Sequence, residues 1–131
     1  MPNSTPLNMP RKIRRGSIWL ANLSPGGGTE PGKTRPVLVV QNQVLLDVEH
    51  PSTLVIPLTT KLTRQAEPLR IRVPAQELLE RDSDLLIDQL RAIDNRRLTK
   101  GPLAHVDKGL MNLVADALKE VLGIESDADP R

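Results

Sequence analysis

The side chains able to do chemistry in this 131-residue chain fall in three short stretches. Arg35 and Lys33 follow a glycine-rich run carrying one glutamate, Glu30, in GGGTEPGKTRPVLVV (residues 26–40). Thr59 and Thr60 close the apolar run TLVIPLTT, and DQLRAID (residues 88–94) brings Asp88, Gln89, Arg91 and Asp94. A guanidinium presents a fixed fork of donors to a phosphate, and a threonine hydroxyl donates to the same oxygens. Together they suit a site that stabilises charge developing on a phosphoryl group. A nearby carboxylate could serve as base. Each residue also has a purely structural reading: Arg35 as an ion-pair partner of Glu30 or Asp88, Thr59 as a strand-end hydroxyl, Asp88 as a solvated charge.

Other chemistries fare less well. A phosphate cradle should run from a strand through glycines into a helix N-terminus, whose amides hold the anion. Here the glycines lead into the β-branched run PVLVV, so the cradle lacks its helix. The only histidines, His50 and His105, are far apart and lack the spacing of a zinc site, although scattered aspartates leave magnesium open. His50 falls in a polar loop and His105 just before a helix, where turn or capping roles are the ordinary reading. With no cysteine, disulfides, thiolate zinc sites and cysteine nucleophiles all drop out.

These residues need a scaffold, and its elements are readable. SIWLANL is a strand ended by PGGG, PVLVVQN is a strand buried on both faces, and TLVIPLT is another whose Pro57 predicts a bulge or an edge. LRIRV alternates, with Leu69, Ile71 and Val73 inward and Arg70 and Arg72 outward. DLLIDQLRAID contains one further strand, with Leu86 and Leu90 facing in. From Leu110, the positions Leu110, Leu113, Val114, Ala117, Leu118, Val121 and Leu122 repeat at helical spacing, with Asp107 as N-cap and Gly123 as the stop. Five or so short strands and one terminal helix predict a β-dominated barrel or α+β domain.

Composition sets the remaining bounds. One domain is expected, with about two-thirds of the unfolded surface buried. The sole aromatic is Trp19, so the core rests on Leu, Val and Ile, and a base-stacking platform of several aromatics is excluded. Net charge is only +2, yet Arg11, Lys12, Arg14 and Arg15 cluster early while Glu125, Asp127 and Asp129 end the chain, an asymmetry that permits a polyanion partner. Residues 1–14 lack periodicity and read as a flexible arm, 15–124 as the domain, and 125–131 as a flexible acidic tail. Neither a membrane span nor a secretory signal is recognisable, so a cytoplasmic location is expected.

Taken in order, these segments resemble the MazF/PemK family of toxin endoribonucleases from bacterial toxin–antitoxin pairs. RRGSIWLANLSP is similar to the family's opening strand, with Ser17 where an acidic residue is usual. GGGTEPGKTRPVLVVQN resembles its glycine–glutamate loop and arginine–proline strand, LVIPLTTKLT its threonine-ended strand, and DSDLLIDQLRAIDNRRL with HVDKGLMNLVADALKEVLGI its later half. The resemblance covers residues 15–124. It implies an SH3-like β-barrel with a C-terminal helix, a homodimer, a MazE-like antitoxin partner, and cleavage of single-stranded RNA without metal or other cofactor. It further implies that Arg35 and Thr59 match the catalytic arginine and threonine, and that Asp88 matches a carboxylate proposed as base in some members. Leu86 stands where those members carry an arginine, Thr29 where others have serine or histidine, and Pro31 in place of a common glutamine. Thr29, Glu30, Lys33, Thr60, Lys61, Gln89 and Arg91 are then the expected substrate-binding residues, with the glycine-rich loop that carries the first three forming a flexible lip beside a fixed Arg35. The same fold also serves a gyrase-poisoning toxin whose inhibitory end contains tryptophan, whereas LGIESDADPR contains none. An inactive RNA-binding barrel is the third reading.

Overall fold

Runs of apolar residues at strand spacing pair into one antiparallel sheet in the computed structural model, which describes residues 12–24, 27–29, 33–64 and 66–125. Its strands are β1 (Ser17–Asn22), β2 (Thr34–Val39), β3 (Ser52–Thr59), β4 (Arg70–Val73), β5 (Ser83–Leu86), β6 (Arg91–Asp94) and β7 (Leu98–His105). The order is β4-β5-β3-β2-β1-β7, with β6 also paired to β3. The result is a β-dominated α+β fold with a barrel-like sheet whose pairing path does not close. Two helices accompany it, α1 (Gln43–Asp47) and α2 (Lys108–Leu122).

Side-chain alternation divides the interior into two cores. On one face, Ile18, Leu38, Ile56, Leu58, Leu85 and Ile87 pack with Val114 and Ala117 of α2. On the other, Trp19, Ala21, Leu23, Val37, Val39, Val55, Ile93 and Leu98 pack together, with Ile13 and Leu46 against them. Each fully buried Val, Leu or Ile contributes roughly 1.5–3 kcal/mol, which lets a chain with one aromatic hold a core. α2 begins where Asp107 Oδ1 accepts from the Leu110 amide at 2.8 Å and ends at Gly123, whose φ of 72° is the left-handed cap that glycine adopts without strain.

Pro57 occupies neither an edge nor a bulge. Val40 N donates to Leu54 O at 3.1 Å, so the hydrogen-bonded pairs of the β2–β3 ladder are Val40–Leu54 and Leu38–Ile56, and Val37–Pro57 is a non-bonded pair. The Pro57 nitrogen therefore faces the opposite side. There β6 stops pairing at Val55 and β5 starts at Leu58, so no ladder partner needs the missing N–H.

Three expectations are corrected. Leu69 is 48% exposed because it lies in the turn before β4, leaving only Ile71 and Val73 inward. The single strand expected in DLLIDQLRAID is two, β5 and β6, separated by a 3-10 turn at Ile87–Gln89. That break moves the buried positions to Leu85 and Ile87 and leaves Leu86 half-buried, while Leu90, also half-buried, does pack against the core on the α2 side as expected. The helix α1 was not expected: five residues are too few to show a period, and its start depends on Asn42 Oδ1 accepting from the Val44 amide.

Candidate active site

Arg35 is the second residue of β2, opposite Ala21 of β1 and half-buried. The paired register of β2 and β3 ends at Val37–Pro57; continued two residues further, it would set Arg35 opposite Thr59, the last residue of β3. Such a non-hydrogen-bonded pair brings Cα atoms to about 4.5 Å with side chains on one face. Between the two lies Pro36, whose position would donate to Leu58 O if proline had an N–H. That carbonyl instead accepts from Arg35 Nη1, at 3.5 Å. The Arg-Pro dipeptide thus has a local logic: the proline vacates an acceptor, and the neighbouring guanidinium is drawn to it, at the mouth of the strand.

The row continues across the sheet. Thr59 is opposite Asp84 of β5, and Asp84 is opposite Arg72 of β4, so Arg35, Thr59, Asp84 and Arg72 share the face turned away from α2. Asp84 was passed over in the sequence, where DSDLL reads as a polar strand start. It is only 1% exposed and accepts from Arg72 Nε at 2.6 Å and from the Thr63 amide at 2.9 Å, with Arg70 Nη1 at 3.6 Å. Burial pushes its carboxyl upward, but the hydrogen bonds from Arg72 and Thr63 and the charges of Arg72 and Arg70 outweigh that and hold it below the usual value. A usable signal was Arg70 and Arg72 two apart on a strand with buried Ile71 and Val73, which places two guanidinium groups on one face and calls for a carboxylate there.

The remaining candidates spread around this row. Thr60 and Lys61 are exposed on the turn that leaves β3, and Lys61 N donates to Thr59 Oγ1 at 3.2 Å. Thr29 and Lys33 are exposed on the loop before β2, and Lys33 has a φ of 64°, a strained conformation for a non-glycine residue. Glu30 and Pro31, on which the reading of the flexible lip largely rests, lie outside the described residues. The neck of that loop is pinned by Leu23 N to Lys33 O at 2.8 Å and Lys33 N to Ser24 Oγ at 2.9 Å.

Asp88 and Gln89 sit on the 3-10 turn after β5, Asp88 exposed and Gln89 half-buried; Arg91 opens β6 opposite Val55. Moving from Asp84 to Asp88 leads past the end of β5 and away from the Thr59 end of β3. The register therefore unites Arg35 with Thr59 and leaves Asp88, Gln89 and Arg91 towards the middle of the sheet. Asp94 is committed to structure: it caps a 3-10 turn through the Arg96 amide and pairs with the Arg96 guanidinium, which draws its carboxyl down to about 2. His50 is exposed. His105 is a strand-end residue rather than a helix cap; its amide donates to Glu77 Oε2, and its Nδ1 is 3.9 Å from Glu77 Oε1. Among the described residues no three His, Asp or Glu side chains are grouped to hold a metal ion.

Comparison with known proteins gives the family. The chain is 35% identical over 113 residues to Endoribonuclease EndoA of Bacillus subtilis (strain 168), covering 86% of this chain and 96% of that relative. MazF from Deinococcus radiodurans shares the fold at a TM-score of 0.73 and 24% identity, over 87% of this chain and 99% of its own. A MazE–MazF structure from the same organism matches at a TM-score of 0.70 and 23% identity, over 88% and 100% of the two chains. The family model for the PemK-like, MazF-like toxin of type II toxin–antitoxin systems matches residues 14–122, and the chain belongs to that family.

Proposed function

We propose that this toxin is an endoribonuclease that cuts single-stranded RNA by using the substrate's own ribose 2′-hydroxyl as nucleophile. The observation that carries the reading is the reach of Arg35 Nη1 to Leu58 O, at 3.5 Å, beside Thr59 at the end of β3. The 2′-oxygen attacks the adjacent phosphorus, the bond to the 5′-oxygen breaks, and a 2′,3′-cyclic phosphate and a 5′-hydroxyl result. The guanidinium of Arg35 and the hydroxyl of Thr59 stabilise the charge that develops on the phosphoryl oxygens. Arg35, beside Thr59, or Asp88, from the turn after β5, removes the 2′-hydroxyl proton, and the departing 5′-oxygen takes a proton from water. Asp84 is unsuited to that task, because its charge is already spent on Arg72 and Arg70. Thr29, Glu30, Lys33, Thr60, Lys61, Gln89 and Arg91 bind the flanking RNA.

The relatives extend the reading to partners. Solved structures from Deinococcus radiodurans pair MazE with MazF, and a MazE-like antitoxin is the partner proposed here, competing with RNA for the same surface. The toxin acts as a twofold homodimer in the cytoplasm; among the described residues no helix is long and apolar enough to cross a membrane.

One substrate pair tests the chemistry: an RNA oligonucleotide and its twin with a single 2′-deoxy nucleotide on the 5′ side of the cut. The expected result is cleavage of the first in excess chelator and none of the second. Cleavage of the deoxy twin at the same bond, or loss of activity in chelator with rescue by magnesium, would refute it. Asp88→Asn tells the two bases apart: loss of cleavage in the folded variant identifies the carboxylate, and retained cleavage leaves Arg35 as the base.

A further inference from the structure

Thr59 ends its strand, and a hydroxyl at a strand end turns freely unless the chain behind it is fixed. Here the chain is fixed at successive points. Lys61 N donates to Thr59 Oγ1 at 3.2 Å, Lys61 O accepts from Arg70 Nη1 at 2.8 Å, and Thr63 N donates to Asp84 Oδ2 at 2.9 Å. Arg70 is also 3.6 Å from that Asp84 oxygen, and Arg72 Nε donates to the other at 2.6 Å. Alternate bonds along the turn therefore lead back to one carboxylate, 1% exposed, in the strand position opposite Thr59 itself. A buried carboxylate loses much solvation and keeps its charge only while its donors stay in place, so carboxylate and turn hold each other in a single arrangement.

We infer that Asp84 is a positioning residue for RNA cleavage: by clamping the Lys61–Thr63 turn to β4 and β5 it orients the Thr59 hydroxyl toward the scissile phosphate. The inference rests on the assignment of Thr59 to the reaction made above. Asp84 itself touches no substrate. Its effect must pass through Thr59, which distinguishes it from a residue that serves stability alone.

Asp84→Asn keeps the shape and removes the charge. In single-turnover cleavage of a labelled RNA, kcat per folded molecule should fall on the order of 10- to 100-fold, as a displacement of about 1 Å at a reacting group does, while KM stays within about threefold of wild type. In a Thr59→Ala background the same substitution should cost less than about threefold, because coupled residues are not additive. Hydrogen exchange at the Lys61 and Thr63 amides should accelerate by roughly tenfold or more, with the β1–β2 amides unchanged. Arg70→Met, which removes the link to Lys61 O and the more distant charge beside Asp84 but leaves the Arg72 and Thr63 bonds to that carboxylate, should show a smaller kcat loss with the same coupling, and it keeps the test valid if Asp84→Asn folds poorly. Additive losses in the double variant, or wild-type kcat with unchanged Lys61 exchange in Arg70→Met, would overturn the inference. A fully active Thr59→Ala protein would instead overturn the role of Thr59, and the positioning argument with it; an inactive Thr59→Ala beside a fully active Asp84→Asn removes Asp84 alone.

Discussion

Gly101→Ala should destabilise the protein by about 2–4 kcal/mol, although Gly101 is exposed; it lies on β7 where the β1–β7 register is interrupted, before a cis bond to Pro102. A Cβ built at that position lies 2.4 Å from Trp19 Cδ2 and 2.7 Å from both Cγ and Cε3. Carbon atoms sit at about 3.5–4.0 Å in good contact, so the indole must retreat by about 1 Å or more. It has little room: Trp19 is 3% exposed and packs in the core with Val37, Val39 and Leu98. Overpacking of this kind costs about 1–3 kcal/mol. Retreat also strains the hydrogen bond from Trp19 Nε1 to Ser17 Oγ at 3.1 Å, worth about 1 kcal/mol net. Trp19 is the chain's only aromatic and reports unfolding by its own fluorescence. With a urea slope of about 2 kcal/mol/M, the midpoint should fall by about 1–2 M at fixed protein concentration, which matters if pairing contributes. A midpoint shift under about 0.3 M with an unchanged slope would refute the claim that Trp19 is immobilised on Gly101.

The site yields three further expectations. Arg35→Ala and Thr59→Ala should each lower kcat by ~10²-fold or more with little loss of fold, since both lie at strand ends; a well-folded Arg35→Ala protein at full rate removes Arg35 from the mechanism. Pro36→Ala restores a backbone donor for Leu58 O and frees the Arg35 guanidinium from it, so kcat should drop several-fold, on the order expected for a misplaced group, while stability moves by less than about 1 kcal/mol; an unchanged kcat would show that Leu58 O plays no part in placing Arg35. Asp84, whose carboxyl is held below its usual 3.8, contributes stability that is present above the unfolded value and lost as pH falls through the folded one. The urea midpoints of wild type and Asp84→Asn should therefore converge below about pH 4, and a gap constant between pH 7 and pH 3 would contradict this.

What could be read before the structure was what depends on neighbours along the chain. α2 announces itself through a spacing repeated over three turns and closed by Asp107 and Gly123. The buried run after Arg35 is equally local. Leu69 and Leu86 were misassigned because a period-two pattern does not say where a strand starts or breaks, and one residue of displacement reverses the face. Asp84 was invisible for a different reason: its partners lie on β4 and in the turn after β3, and only the register brings them to one carboxylate. The approach of Arg35 to Thr59, 24 positions apart in the chain, likewise follows from pairing and not from spacing.

The pinned neck between Leu23, Ser24 and Lys33 separates two evolutionary problems. The chain segment it encloses can change in length or composition without disturbing the strand that carries Arg35, because both ends meet at the same two hydrogen bonds whatever lies between them. Doubling the length of such a loop costs only about 0.6 kcal/mol in closure entropy. On the proposed reading, in which this loop binds the RNA, exchange of the enclosed residues would change base preference while leaving Arg35 in place, and loops grafted between members at this neck would test it.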